Sequence, residues 1–323
     1  MKICIYGTGA VGASIGSMLA NAGHEMTFIA RGKHLIRMQE WGLTMITPNG
    51  VQTITGHFTN LMTTVETPDY LFICVKAFSI PEIEENVNRI TGPDTVIIPV
   101  INGIPWWHFL GWEGKLKGFV PLSLDPKGNL AKFFPYPNLV GGLAYTAGAI
   151  KETGVVENLK YPPRLMIGEI DDKISPRIEK LGATLEQAGF ASPIVKNIRA
   201  EIWLKLCWNI AFNPISALTG MNALQITENL ETREAAVKLM RELEMVALAL
   251  EIPLKLDIEE RMNVARKSGQ HKPSMLQDVE NGRRMEIDAI VGVIAEIADK
   301  LSIECPNIDK LLSALRAKES SLR

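Results

Sequence analysis

The first 31 residues constrain this chain more than any other stretch. Lys2 to Tyr6, Lys-Ile-Cys-Ile-Tyr, reads as a short apolar strand. Gly7-Thr8-Gly9-Ala10-Val11-Gly12 follows at once and opens a run to Gly23 with Val11, Ile15, Met18 and Leu19 at helical spacing. His24 to Ile29 is a second apolar strand, closed by Ala30-Arg31. Strand, glycine turn, helix and strand within about thirty residues form the βαβ unit that cradles a dinucleotide. Gly7 permits the tight turn, Gly9 lets the backbone approach a pyrophosphate, and Gly12 lets the helix pack on the sheet. Phosphates then sit against N–H groups at the helix N-terminus. Gly7, Thr8, Gly9, Ala10, Val11 and Gly12 are therefore candidate cofactor-binding residues. The competing reading is a turn of this kind that has lost its ligand.

The end of the second strand refines the cofactor. An Asp or Glu about 20 residues past the glycines holds the ribose 2′-OH of NAD. Here the sequence offers Ala30-Arg31-Gly32-Lys33, with two cations and no carboxylate. A guanidinium can bind two oxygens of a 2′-phosphate at once, so Arg31 favours NADP(H). The alternative is a solvated helix start.

At 323 residues the chain exceeds a comfortable single core, so two domains are expected. Apolar content of 46% and charged content of 22% are ordinary for a globular enzyme. The net charge of −2 and the lack of a basic run argue against nucleic acid as partner. Cys4, Cys74, Cys207 and Cys305 are scattered, which supports neither a zinc site nor a disulfide framework and fits a reducing compartment. The chain opens on a strand, which leaves no room for a signal peptide, and no apolar run has the length of a membrane span. A cytoplasmic enzyme without metal or membrane is the expectation. Oligomeric state stays open, a homodimer included.

Further strands are expected at Asp69–Val75, ending at Lys76, and at Thr95–Ile101, ending at Asn102-Gly103, with a hairpin over Leu43–Ile54. Ligands of open α/β sheets bind beyond the carboxyl ends of strands. Gly7, Lys76 and Asn102 all lie at such ends. A surface lysine and a plain turn are the alternatives for the last two. Pro105 to Pro137 is irregular and rich in aromatics, among them Trp106, Trp107 and Trp112. A loop this long is a lid or substrate wall, or a coil that packs a core of its own. Leu139–Tyr145, Gly154–Glu157 and Arg164–Gly168 are expected to complete the sheet. Beyond Asn197 helices dominate, including one over Arg283–Leu301. The expected division is 1–196, a Rossmann-type α/β domain with a mostly parallel sheet, and 197–323, an all-helical domain, with a ligand cleft between them.

From Ile202 the helix beginning near Ile198 is apolar nearly throughout, except at Lys205, Asn209 and Asn213. Residues four apart share one helix face. That stripe faces either solvent, where a lysine snorkels, or a polar cleft. In a cleft, Lys205 could protonate a carbonyl oxygen, with burial lowering its pKa and a carboxylate such as Glu286 opposing. Glu286 alone reads equally as an exposed helix charge, and Ser274, after Pro273, as a helix N-cap.

Taken together, Gly7-Thr-Gly-Ala-Val-Gly12, Val75-Lys76-Ala77, Asn102-Gly103, Asn197-Ile-Arg-Ala-Glu-Ile-Trp-Leu-Lys205, Asn209, Asn213-Pro214, Ser274-Met-Leu-Gln-Asp278 and Glu286-Ile-Asp288 resemble the ketopantoate reductase family (2-dehydropantoate 2-reductase) over nearly the whole chain. Asn197–Lys205, Asn209 with Asn213-Pro214, Ser274–Asp278 and Glu286–Asp288 together distinguish it from other Rossmann proteins with helical second domains, such as 6-phosphogluconate and 3-hydroxyacyl-CoA dehydrogenases. The resemblance implies reduction of 2-dehydropantoate to (R)-pantoate with NADPH, on the route to pantothenate. It implies Lys205 as proton donor and Asn209, Asn213 and Ser274 as substrate-binding residues. It implies Asn102 touching substrate and cofactor, and Glu286 at their junction. Arg31 and Lys76 match positions near the cofactor's phosphates and nicotinamide end. Pro105–Asn138 is longer and more aromatic than in compact members, which bears on the substrate. The alternatives are a reductase of another small 2-oxo or 3-oxo acid, and an NADP(H) sensor without turnover.

Overall fold

The computed structural model describes residues 1–322 except 147, 159, 192, 255 and 256. The chain divides into two compact units, Met1–Ile101 with Asn129–Ile198, and Asn102–Gly128 with Arg199–Arg323. Residues 102–128, expected in the first domain, thus cluster with the second unit.

In the first unit, the opening βαβ is β1 (Lys2–Tyr6), α1 (Ala10–Asn21) and β2 (Glu25–Ile29). Next come α2 (Gly32–Trp41), the hairpin β3 (Leu43–Thr47) and β4 (Gly50–Ile54), and β5 (His57–Thr59). Then follow β6 (Tyr70–Ile73), α3 (Ile80–Ile90) and β7 (Val96–Pro99). The main sheet runs β5-β2-β1-β6-β7 and is parallel throughout. Tyr6 pairs with Ile29 on one side and Ile73 on the other, so the strand order reverses at β1/β6. Such a switch point is where doubly wound sheets bind ligands. Its strands are apolar without alternation because both faces are covered. Ile3, Ile5, Phe28, Phe72 and Ile98 are buried, and the Phe28 and Phe58 rings stack at 5.1 Å.

The unit ends with α4 (Leu130–Phe133), β8 (Val140–Tyr145), β9 (Gly148–Glu152), β10 (Val155–Asn158), β11 (Arg164–Glu169) and α5 (Pro176–Gln187). These strands do not extend the main sheet as expected. β10 joins the hairpin in a separate sheet, β4-β3-β10-β9, and β8 pairs with β11 alone. Among the described residues, isolated bridges, Ile97 to Leu139 and Val100 to Gly142, tie the β8 region to that of β7. The apolar pattern of these strands signals burial but does not select a partner.

The second unit is helical: α6 (Ile198–Thr219), α7 (Ala223–Glu228), α8 (Leu230–Ala249), α9 (Ile258–Lys267), α10 (Ser274–Glu280), α11 (Val293–Lys300) and α12 (Pro306–Ser320). The helix expected from Arg283 begins only near Ile287, and its first turn, Asp288–Gly292, is a π-turn. Met285 is buried, and its N–H bonds Glu319 Oε1 at 2.8 Å instead of entering a helix. The Ala289 carbonyl in this π-turn accepts from Ile104 N–H at 2.9 Å.

The aromatic stretch is a core of its own rather than an open wall. Trp106, Trp107 and Phe109 are buried, His108 stacks on Trp112 at 5.9 Å, and Phe109 meets Phe119 at 5.3 Å. Arg199 closes it from α6, donating to the carbonyls of His108 at 2.8 Å and Leu110 at 2.9 Å. At the far end Glu296 accepts from Leu122 N–H at 2.8 Å and from Ser123 N–H at 3.0 Å. Among the described residues no helix is long and apolar enough to cross a membrane.

Candidate active site

The glycine turn is held by β2. Gly7 N–H and Thr8 N–H both donate to the Ile29 carbonyl, at 3.0 and 3.2 Å, and Thr8 Oγ1 donates to it at 3.1 Å. The Thr8 side chain is buried and spent on that anchor. Gly7 sits at φ +101°, where a Cβ would also press the Cys74 backbone at 2.9 Å. A Cβ on Gly12 would lie 2.2 Å from the Gly7 carbonyl oxygen, so only glycine lets α1 start this close to the turn. At Gly9 a Cβ would meet nothing within 4 Å.

That open side lies at the start of α1, whose first N–H groups have no partner within the helix and no side-chain cap. Gly9, Ala10 and Val11 are half-buried. Arg31 is exposed at the start of α2. Lys76, three residues past β6, precedes a short helical turn, Ala77–Ser79. A nicotinamide dinucleotide fits these residues: glycines where backbone must approach phosphate, a helix N-terminus, and a cation for a further phosphate.

The second unit assembles six of the candidate residues in two hydrogen-bonded chains. In the first, Lys205 Nζ donates to Asn102 Oδ1 at 2.9 Å, and Asn102 Nδ2 donates to Glu286 Oε2 at 3.3 Å. Lysine only donates and a carboxylate only accepts, so the two partners orient the Asn102 amide. In the second, Ser274 Oγ donates to Asn213 Oδ1 and Asn213 Nδ2 donates to Asn209 Oδ1, each at 3.3 Å. Ser274 is the first residue of α10, with Pro273 at the cap position, so it does not act as an N-cap.

Asn209 and Asn213 are 5% and 2% exposed and Glu286 is 5% exposed. The stripe on α6 is therefore not a solvated face, and Glu286 is not an exposed helix charge. Burial lowers the Lys205 pKa to about 8, and the negative charge of Glu286 resists that shift. Sequence reasoning missed what holds Asn102 in place. Gly103 stands at φ +79°, and a Cβ there would lie 1.9 Å from the Ala289 carbonyl oxygen. The only signal was Gly103 itself, since the π-turn beneath it has no sequence mark.

Comparison with known proteins decides the family. Residues 3–172 match the model for ketopantoate reductase PanE/ApbA, and residues 197–319 match the model for its C-terminal part. The chain belongs to the ketopantoate reductase family. It is 32% identical over 317 residues to a 2-dehydropantoate 2-reductase of Mesorhizobium japonicum, covering 98% of this chain and 97% of that one. A crystal structure of a candidate ketopantoate reductase from Ralstonia solanacearum MolK2 matches with a TM-score of 0.94 at 30% identity, covering 99% and 98% of the two chains. The fold also recurs, with a TM-score of 0.85 at 24% identity over 100% and 99% of the chains, in a D-mandelate dehydrogenase with NADH and anilino(oxo)acetate. This member of the family is thus a nicotinamide-dependent oxidoreductase of the ketopantoate reductase type.

Proposed function

We propose that the chain catalyses NADPH-dependent reduction of 2-dehydropantoate to (R)-pantoate in the cytoplasm, on the route to pantothenate. The observation that carries this reading is the Glu286–Asn102–Lys205 chain in a member of the ketopantoate reductase family. NADPH, when bound, supplies the hydride for the keto carbon. Lys205 gives a proton to the keto oxygen as it gains negative charge, and is left as the neutral amine. A pKa of about 8 suits that step, because the ammonium is populated at neutral pH yet gives up its proton readily. Asn102 accepts from Lys205 and so orients its ammonium. Glu286 keeps the lysine charged against the cost of burial.

Asn209 and Asn213 offer amide donors and acceptors to the substrate hydroxyl, and Ser274, on turning its one hydroxyl proton away from Asn213, donates to its carboxylate. The turn Gly7–Gly12 and Arg31 hold the cofactor phosphates, with Lys76 towards its nicotinamide end. A second reading is a reductase of another small 2-oxo acid. It rests on the segment 105–138, which follows Asn102 in the chain and is longer and more aromatic than the resemblance implies.

The deciding assay follows NADPH absorbance with 2-dehydropantoate as substrate and NADH as control cofactor. Fast turnover with NADPH and slow turnover with NADH supports both the substrate and the role of Arg31. NADPH bound without turnover, and turnover with a different 2-oxo acid, supports the second reading. Equal rates with both cofactors remove the argument from Arg31.

A further inference from the structure

The hairpin β9–β10 takes no part in the chemistry above, yet it grips the glycine turn from behind at two points. His34, in the first turn of α2, is half-buried. Its Nδ1 accepts from Gly154 N–H at 2.9 Å, and its Nε2 lies 2.9 Å from the Thr8 carbonyl oxygen. A backbone N–H can only donate, so Nδ1 carries the lone pair. The proton is then on Nε2 and is donated to Thr8. One neutral tautomer satisfies both neighbours, whereas an imidazolium would set N–H against N–H at Gly154. Burial lowers the pKa of His34, against the pull of the Thr8 carbonyl, and so favours the neutral ring. Gly154 is itself fixed, since its carbonyl accepts from Thr44 N–H at 2.9 Å.

The second grip is at the other end of β10. Asn158 Nδ2 donates to Ser14 Oγ at 2.9 Å, and Ser14 Oγ donates to the Ala10 carbonyl at 2.7 Å. The hairpin thus reaches Thr8 through His34 and Ala10 through Ser14, on either side of Gly9.

We propose that His34 is a positioning residue for the cofactor: by tying Thr8 to Gly154 it holds the turn Thr8–Ala10 in the shape that receives a pyrophosphate. This rests on the reading of that turn as the cofactor site. A glycine segment gives up much conformational freedom when it is ordered. A turn already held in place does not spend binding free energy on that ordering. His34 touches no reacting atom in this scheme, and its effect passes through the Thr8 carbonyl.

The test titrates NADPH by fluorescence into the full chain as wild type, His34→Ala, His34→Leu and His34→Gln, with thermal unfolding of each alongside. A glutamine amide presents one acceptor and one donor, as the neutral imidazole does; alanine and leucine present neither. Leucine keeps most of the bulk and reports in place of alanine if the smaller residue disturbs packing. His34→Ala and His34→Leu are expected to weaken NADPH roughly tenfold, the effect of losing about one hydrogen bond. His34→Gln is expected to stay within about twofold of wild type, since donor and acceptor are both kept. The maximal rate at saturating NADPH should not change in any of them. Unchanged NADPH affinity in His34→Leu overturns the proposal, and so does equal weakening in His34→Leu and His34→Gln. Both outcomes leave the cofactor reading of the turn intact. A wild-type chain that does not bind NADPH overturns that reading, and the proposal with it.

Discussion

Lys205 stands under two opposed influences, and they make its role testable by pH. Burial lowers its pKa to about 8, and the charge of Glu286 pushes the other way. A proton donor must carry its proton, so maximal rate should fall as pH rises through about 8. Glu286→Gln removes the charge that supports the ammonium, so the alkaline limb should move to lower pH. A pH–rate profile of both proteins checks this, and an unmoved limb would assign the titration to another group. Lys205→Ala should lower kcat by about a hundredfold or more while leaving the Kd for NADPH unchanged; equal losses in both would argue against a donor. At this scale the sequence was informative where chemistry contrasted with its surroundings. Lys205, Asn209 and Asn213 stood out because α6 is otherwise apolar nearly throughout from Ile202. Glu286 did not, since a carboxylate among Arg283, Arg284 and Asp288 reads as surface until the chain path buries it.

Among the elements, the opening βαβ was legible because strand, turn and helix follow one another directly and Gly12 is demanded by a backbone contact a few residues away. The Gly12 Cβ clash with the Gly7 carbonyl is local in sequence. The π-turn at Asp288–Gly292 was not legible, because the backbone group it meets is remote in sequence. Ile104 N–H, nearly two hundred residues earlier, takes the Ala289 carbonyl at 2.9 Å. The same contact makes Gly103 critical. A methyl there would need to occupy the space of the Ala289 carbonyl, at a φ of +79° that L residues rarely adopt. Gly103→Ala should therefore lower stability by about 2 kcal/mol or more. It should also lower kcat, because Asn102 moves with its neighbour and loosens its hold on Lys205. Thermal unfolding and steady-state rates test the two effects separately. A stable Gly103→Ala with full kcat would show that Asn102 is placed by its side-chain bonds alone. The strands β8, β10 and β11 failed in a different way. Their burial was readable, but the partner of a buried strand is a long-range choice that apolar pattern does not encode.

Across the whole molecule, the segment 102–128 shows how a long irregular stretch becomes ordered. It has no regular helix or strand among its described residues, so its backbone must find partners elsewhere. Arg199 supplies two of them, at His108 and Leu110, and lies 5.4 Å over the Trp112 ring and 5.9 Å over that of Trp107. Trp203 Nε1–H donates to His108 Nε2 at 3.3 Å, which requires a neutral imidazole. Burial and the charge of Arg199 keep the His108 pKa well below its ordinary value, in agreement with that bond. The sequence alone left open whether these aromatics formed a wall or a core, because the residue that closes the core lies some ninety positions away on α6. Arg199→Ala should thus act on the unit as a whole. It strands two carbonyls and removes two cation–π contacts, a loss of about 3 kcal/mol or more. Arg199→Lys can restore one donor but not the fork that reaches both carbonyls, so it should recover only part of the stability. Denaturant unfolding of the two variants measures this. A full recovery in Arg199→Lys would mean that charge, rather than the forked geometry, holds the aromatic core together.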